Sequence, residues 1–101
     1  MTFQVARPIH PGEILREEFL IPLGMTPYAL AKALRIQRPR IEKLVRQRTP
    51  VTPDTALRLA RYFGTTPELW LNLQRSYDLK LEAEAKRAEI EMIKPRPQFA
   101  A

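Results

Sequence analysis

The apolar residues of this 101-residue chain recur at intervals of three and four, and prolines and glycines cut that rhythm into segments. Such spacing belongs to amphipathic α-helices, and no stretch alternates as a half-buried strand would. The first segment begins at Pro11 and runs through GEILREEFL, with Ile14, Leu15 and Phe19 facing inward, until Pro22 and Gly24 stop it. Residues 1–10 ahead of it read as an extended segment. The second starts at Thr26-Pro27 and continues through YALAKALR. A threonine oxygen there accepts from a free N–H of the first turn, and proline fits because its missing N–H would have no partner. The same device recurs at Thr52-Pro53-Asp54 and Thr66-Pro67-Glu68, each with an acid where the helix dipole favours negative charge. In PDTALRLARYF the spacing sets Ala56, Leu57, Ala60 and Phe63 inward, and Gly64 supplies a left-handed stop. From Pro67 a stripe of Trp70, Leu73, Tyr77, Leu81, Ala85, Ala88 and Met92 holds until Lys94-Pro95, predicting one long or slightly kinked helix before a frayed tail, KPRPQFAA.

Composition narrows the class. At 101 residues, 45% apolar and 28% charged, the chain is globular and has length for one domain, since a second core needs more than ~100–150 residues. No apolar run approaches the ~20 residues of a membrane helix, so no membrane is expected as a partner. The start, MTFQVARPIHP, lacks an uninterrupted apolar region of the secretory kind, and there is no cysteine for a disulfide or thiolate metal site. A cytoplasmic location is expected.

A net charge of +6 makes a polyanion the first partner to consider, and the excess is concentrated. Between Arg35 and Arg48 the bases Arg35, Arg38, Arg40, Lys43, Arg46 and Arg48 face the single acid Glu42, whereas residues 77–93 are net acidic. That basic stretch lies in TPYALAKALRIQRPRIEKLVRQR, residues 26–48, which reads as two short amphipathic helices joined by a tight turn. This is the layout of a helix-turn-helix DNA reader. Ala31 is small enough for the second helix to cross close over the first, and Ile41 and Leu44 point back into the core beside Leu30, Leu34 and Ile36. Gln37, Arg38, Arg40, Lys43 and Arg46 then face outward with donors suited to guanine edges and phosphates. The residue four after Ala31 is Arg35, where such a turn usually takes glycine for its left-handed backbone. Pro39 must lie in the first turn of the second helix, which sets the N-cap near Gln37 or Arg38 and the recognition helix at about residues 38–47.

Enzyme chemistry finds no foothold. His10, the only histidine, has no cysteine, serine or acid cluster to complete a triad or metal set, and Glu13 and Glu17 share a helix face as solvent carboxylates commonly do. Gly12, Gly24 and Gly64 all fall at helix boundaries, which leaves none for a phosphate-cradling loop. Trp70 reads as a core or interface anchor. No catalytic residue, cofactor or metal is expected.

The run HPGEILREEFL, the helix-turn-helix, and then VTPDTALRLARYFGTTPELWLNLQRSYDLKLEAE resemble the HigA-type antitoxins, a branch of the Xre-like helix-turn-helix regulators. The similarity spans about residues 10–84, and TPDTALRLARYFGTTPELWLNLQ carries most of its specificity. Arg35 and Gln47, both often glycine in that family, and Pro39 depart from its pattern. The resemblance implies an all-α, compact, four-to-five-helix lambda-repressor-like domain with an extended C-terminal helix. It further implies a homodimer that binds a palindromic double-stranded operator in its own promoter and neutralises a HigB-type ribonuclease toxin. A stand-alone Xre-family regulator without a toxin is the alternative.

The organisation expected is an extended segment at 1–10, the helix-turn-helix domain at 11–76, and a helical extension with its tail at 77–101. Arg38 and Lys43 are the first candidates for base edges, with Gln37 and Arg40 next. Thr26, Arg46, Arg48, Thr49 and Thr52 are candidates for phosphate at the groove edge. Glu42 is expected to pair with Arg38 or Arg46, each four residues away. The distal stripe, Tyr77, Leu81, Ala85, Ala88 and Met92, is the candidate dimer or toxin interface.

Overall fold

The chain folds in order into α1 (Pro11–Ile14), a π-helical stretch (Leu15–Leu20), α2 (Ile21–Leu23), α3 (Pro27–Leu34), α4 (Arg38–Val45), α5 (Pro53–Phe63), α6 (Pro67–Ala85), α7 (Arg87–Glu91) and a 3₁₀ turn (Pro97–Phe99). The computed structural model describes residues 7–99, and no strand occurs among them. Residues 7–10 enter α1 without helix, while residues 1–6 of the expected extended segment and 100–101 of the tail lie outside the described residues. Thr26, Thr52 and Thr66 are extended residues whose Oγ1 accepts from the backbone N–H of Ala29, Thr55 and Leu69, so each Thr-Pro pair opens a helix. A fourth cap comes from His10, whose Nδ1 accepts from the Gly12 N–H at 2.8 Å.

Pro22 does not stop the first helical segment. It sits inside α2, and Gly24, at φ 64°, ends the run. A proline has no N–H for the carbonyl four residues back, and its ring collides with that carbonyl in α geometry. The backbone just before it is widened instead, with the Ile21 N–H reaching the Arg16 carbonyl. The wider turn also changes the inward face. Leu15 and Leu20, five residues apart, are buried, while Ile14 and Phe19 are only half-buried.

One core joins these elements: Leu15 and Leu20, Leu30, Ala31 and Leu34 of α3, Ile41, Leu44 and Val45 of α4, Ala56 and Leu59 of α5, and Trp70 of α6. Burial of each large apolar side chain contributes roughly 1.5–3 kcal/mol. Trp70 is fully buried beside Phe19, with ring centroids 5.1 Å apart, and its Nε1 donates to Thr65 Oγ1 at 2.9 Å. In α5 the inward face is Thr55, Ala56, Leu59 and Ala60, and Leu57, expected inside, is exposed. Leu59 and Leu57 cannot both face the core because two residues advance the helix by more than half a turn.

Gly12 does more than mark a boundary. A Cβ there would lie 1.8 Å from the Leu44 carbonyl oxygen, so the absence of a side chain lets α1 rest directly on the backbone of α4. On the far side, α6 runs through the expected 76/77 boundary as one helix, but burial changes near it. Trp70 and Gln74 are buried and Tyr77 half-buried, whereas every residue from Asp78 to Gln98 is exposed. The helix is interrupted at Lys86 (φ −110°, ψ 16°) before α7 resumes.

Candidate nucleic-acid interface

The turn between α3 and α4 depends on a backbone that L-residues seldom adopt. Arg35 takes the left-handed conformation at φ 62°, ψ 43°, and the Ile36 N–H returns to the Ala31 carbonyl at 3.1 Å. Such a residue costs roughly 1–2 kcal/mol relative to glycine's freedom there. Part of the compensation is visible: Arg58 Nη1 of α5 donates to the Leu34 carbonyl at 2.8 Å and caps the C-terminus of α3. At the other end of α4, Gln47 is also left-handed, at φ 63°, and the Arg48 N–H returns to the Lys43 carbonyl at 2.8 Å. Both positions where the sequence departs from glycine therefore keep glycine's backbone.

Between these turns α4 is held by its apolar side. Ile41 and Leu44 are essentially inaccessible, at 0% and 2%, and Val45 joins them. Gln37, extended at φ −68° and ψ 138°, is the N-cap, and Pro39 occupies the first turn as expected. Of the candidate residues, Thr26, Gln37, Arg38, Arg40, Lys43, Arg46, Arg48 and Thr52 are exposed and Thr49 is half-buried. Arg40, Lys43, Thr49 and Thr52 line one shallow depression between α4 and the loop leading to α5.

Four of these side chains have partners within the protein. Arg38 Nε donates to Glu42 Oε2 at 2.7 Å, the pairing expected for Glu42, and its guanidinium lies 5.7 Å from the centroid of the Tyr28 ring. Thr26 and Thr52 accept from their own helices. Arg40 turns toward α5, its Nη2 donating to Asp54 Oδ2 at 2.8 Å and Thr55 Oγ1 at 2.9 Å. Asp54 also accepts from Arg58 Nε, with both carboxylate oxygens at 3.1 Å. Hydrogen bonds from Arg40 and then Arg58 hold the Asp54 carboxyl below the usual aspartate range. Sequence reasoning missed Asp54, Arg58 and Tyr28. The four-residue spacing of Asp54 and Arg58 was a visible signal, but their link to Arg40 crosses from one helix to another.

His10 is a structural group. It is 3% exposed, and its ring meets Tyr77 edge-on at 4.8 Å. Burial pushes its pKa down, opposed by the negative charge of Asp78 and a hydrogen bond to the Thr49 backbone. Tyr77 therefore belongs to the core side of α6 and not to the exposed stripe. Of the other stripe residues, Leu81 lies in an apolar concavity with Leu79, Ala83, Ile90 and Ile93, whereas Ala85, Ala88 and Met92 are exposed outside it. The break at Lys86 dissolves the helical periodicity that the stripe assumed. Gln74, also unforeseen, ties α6 to the loop before α5 by accepting from the Val51 N–H at 2.8 Å. Among the described residues no group of acids and histidines could hold a metal, and no helix is long and apolar enough to cross a membrane.

Comparison with known proteins agrees with this geometry. The helix-turn-helix family profile matches residues 15–70. Virulence-associated protein I of Dichelobacter nodosus is 54% identical over 86% of this chain and 80% of its own length. Antitoxin HigA-1 of Vibrio cholerae is 38% identical over 88% of this chain and 84% of its own. The structure of Pseudomonas aeruginosa antitoxin HigA with the higBA promoter superposes with a TM-score of 0.85 at 44% identity, covering 88% of this chain and 98% of that one. With an anchored basic helix set between two left-handed turns, and with this similarity extending over nearly the whole chain, the protein belongs to the helix-turn-helix family and, within it, to the HigA-type antitoxins.

Proposed function

We propose that the protein is the DNA-binding antitoxin of a HigBA-type module, a homodimer that represses its own operon and neutralises a ribonuclease toxin by forming a complex with it. The observation that carries the DNA half is the placement of α4, whose apolar side is sealed in the core while Arg38, Lys43 and Arg46 stand in solvent. In this reading α4 enters the major groove. Arg38 and Lys43 meet base edges, Gln37 and Arg40 flank them, and Thr26, Arg46, Arg48, Thr49 and Thr52 meet phosphates. Dimer symmetry sets two such helices ~34 Å apart on an inverted repeat. The structure of Pseudomonas aeruginosa HigA with the higBA promoter supports the choice of ligand.

The same reading divides the chain at 10 and 76, gives the segment beyond 76 to the dimer or toxin contact, and places the protein in the cytoplasm without enzymatic activity of its own. Leu81, Ala85, Ala88 and Met92 are the residues proposed for that contact, with Tyr77 behind them packed on His10, and exposed Leu81 and Met92 have the chemistry for it. Two measurements test the proposal. The protein is titrated into the duplex upstream of its own gene and into a scrambled duplex at one ionic strength. It is also co-expressed with the product of the adjoining reading frame. Equal affinity for the two duplexes overturns the specific-reader half. Failure to isolate a stoichiometric complex overturns the toxin half and leaves a stand-alone regulator.

A further inference from the structure

Arg40 and Asp54 form a contact that a DNA-facing surface has no electrostatic reason to keep. Asp54 is an exposed carboxylate beside the basic helix, where its charge repels phosphate. Yet it accepts from two arginines at once. Arg40 Nη2 bonds to it from α4 at 2.8 Å, and Arg58 Nε bonds to it within α5 at 3.1 Å. Arg58 in turn reaches the Leu34 carbonyl at the end of α3, so a chain of bonds runs from the left-handed turn through α5 to a side chain of the recognition helix. Thr55 Oγ1 holds the same Nη2 at 2.9 Å, fixing the guanidinium plane from a second direction. Both anchors use Nη2. Among the described residues no group accepts from Nε or Nη1 of Arg40, so single N–H donors remain on either side of the anchored nitrogen.

We propose that Asp54 is a positioning residue for sequence reading, holding Arg40 in one orientation so that its remaining Nε and Nη1 donors meet one base or phosphate position. The proposal rests on the reading of α4 as the groove-entering helix. An arginine held in advance loses less rotamer freedom on binding, and a fixed fork discriminates between partners where a mobile one does not. Charge alone and positioning predict opposite outcomes. If Asp54 is only a repelling charge, its removal strengthens binding to every duplex alike. If it positions Arg40, its removal relaxes selectivity at the position Arg40 reads.

The test uses the full chain and a pool of randomised duplexes, from which wild type, Arg40→Ala, Asp54→Ala and Asp54→Glu each select their preferred sites. The affinity of each protein for the wild-type site and for a scrambled duplex is then measured. Wild type is expected to prefer its site, and Arg40→Ala and Asp54→Ala to lose preference at the same position. The ratio of affinities should fall about tenfold in each, while scrambled-duplex affinity of Asp54→Ala is unchanged or raised. The double variant should lose no more than Arg40→Ala alone. Asp54→Glu, which restores the charge at longer reach, should recover part of the ratio. Asp54→Asn keeps the side-chain shape and replaces the alanine variant if thermal unfolding shows that alanine disturbs α5. An unchanged ratio in folded Asp54→Ala, or in Asp54→Asn where it replaces the alanine variant, or relaxation at a position different from that of Arg40→Ala, overturns the proposal. A wild type without sequence preference overturns the underlying DNA reading instead.

Discussion

Replacing Gly12 with alanine adds one methyl group to a contact between two backbones. The added carbon would lie 1.8 Å from the Leu44 oxygen and 2.8 Å from its carbonyl carbon, whereas a carbon and a carbonyl oxygen approach comfortably at about 3.3 Å. Relief requires α1 to withdraw from α4 by about 1.5 Å. Neither partner is a flexible side chain, and Leu44 is itself locked in the core by burial. Overpacking of this kind costs about 1–3 kcal/mol when side chains can adjust. Here the upper end is expected, because helix axes must separate. For a domain of this size about 3 kcal/mol corresponds to a loss of roughly 15 °C in Tm. Gly64→Ala is the control: that glycine is left-handed at φ 74° with nothing within 4 Å of the added carbon, so backbone strain alone costs about 1 kcal/mol. Urea unfolding followed by circular dichroism measures both. If Gly12→Ala is no more destabilising than Gly64→Ala, the backbone contact does not hold α4 in place.

Other expectations follow from the same geometry. Arg35→Gly and Gln47→Gly release two left-handed non-glycine residues, and after glycine's greater unfolded freedom each should stabilise by about 0.5–1 kcal/mol in denaturant titration. No change in either would mean the turns are not strained. His10 has its pKa pushed below the ordinary histidine value, so between that lowered pKa and about 6.5 the unfolded chain binds more protons than the folded one. Its contribution is complete above about pH 6.5 and is lost as pH falls through the folded pKa. His10→Asn, which keeps a capping acceptor, should flatten that part of the stability profile, and an unaltered slope would assign it to other groups. Arg38→Ala should cost ~1–3 kcal/mol in operator affinity and relax one base position, while Arg48→Ala should weaken all duplexes alike and reduce the salt slope by about 1. Selection from randomised duplexes and salt titration distinguish the two.

The helix boundaries were legible in the sequence wherever they depend on a residue and its immediate neighbours. Thr26, Thr52 and Thr66 cap because a hydroxyl three residues from a free N–H is sufficient, and Gly64 stops α5 because it alone tolerates the left-handed turn cheaply. The outward face of α4 was equally readable, since Ile41 and Leu44 fix which side the core takes. The chain alone did not decide how helices meet. Pro22 could end a helix or be absorbed by a widened turn, and burial of Leu15 and Leu20 accompanies the second outcome. Leu57 and Leu59 compete for one face of α5, and packing chose Leu59. Arg40 carried the same signal as Arg38, yet Asp54 and Thr55 lie fourteen and fifteen residues away and reach it only when α5 packs against α4. Caps and stops are short-range hydrogen-bond chemistry written in adjacent letters. Close backbone approach, helix rotation and ion pairing between helices depend on distances that exist only after the elements have packed.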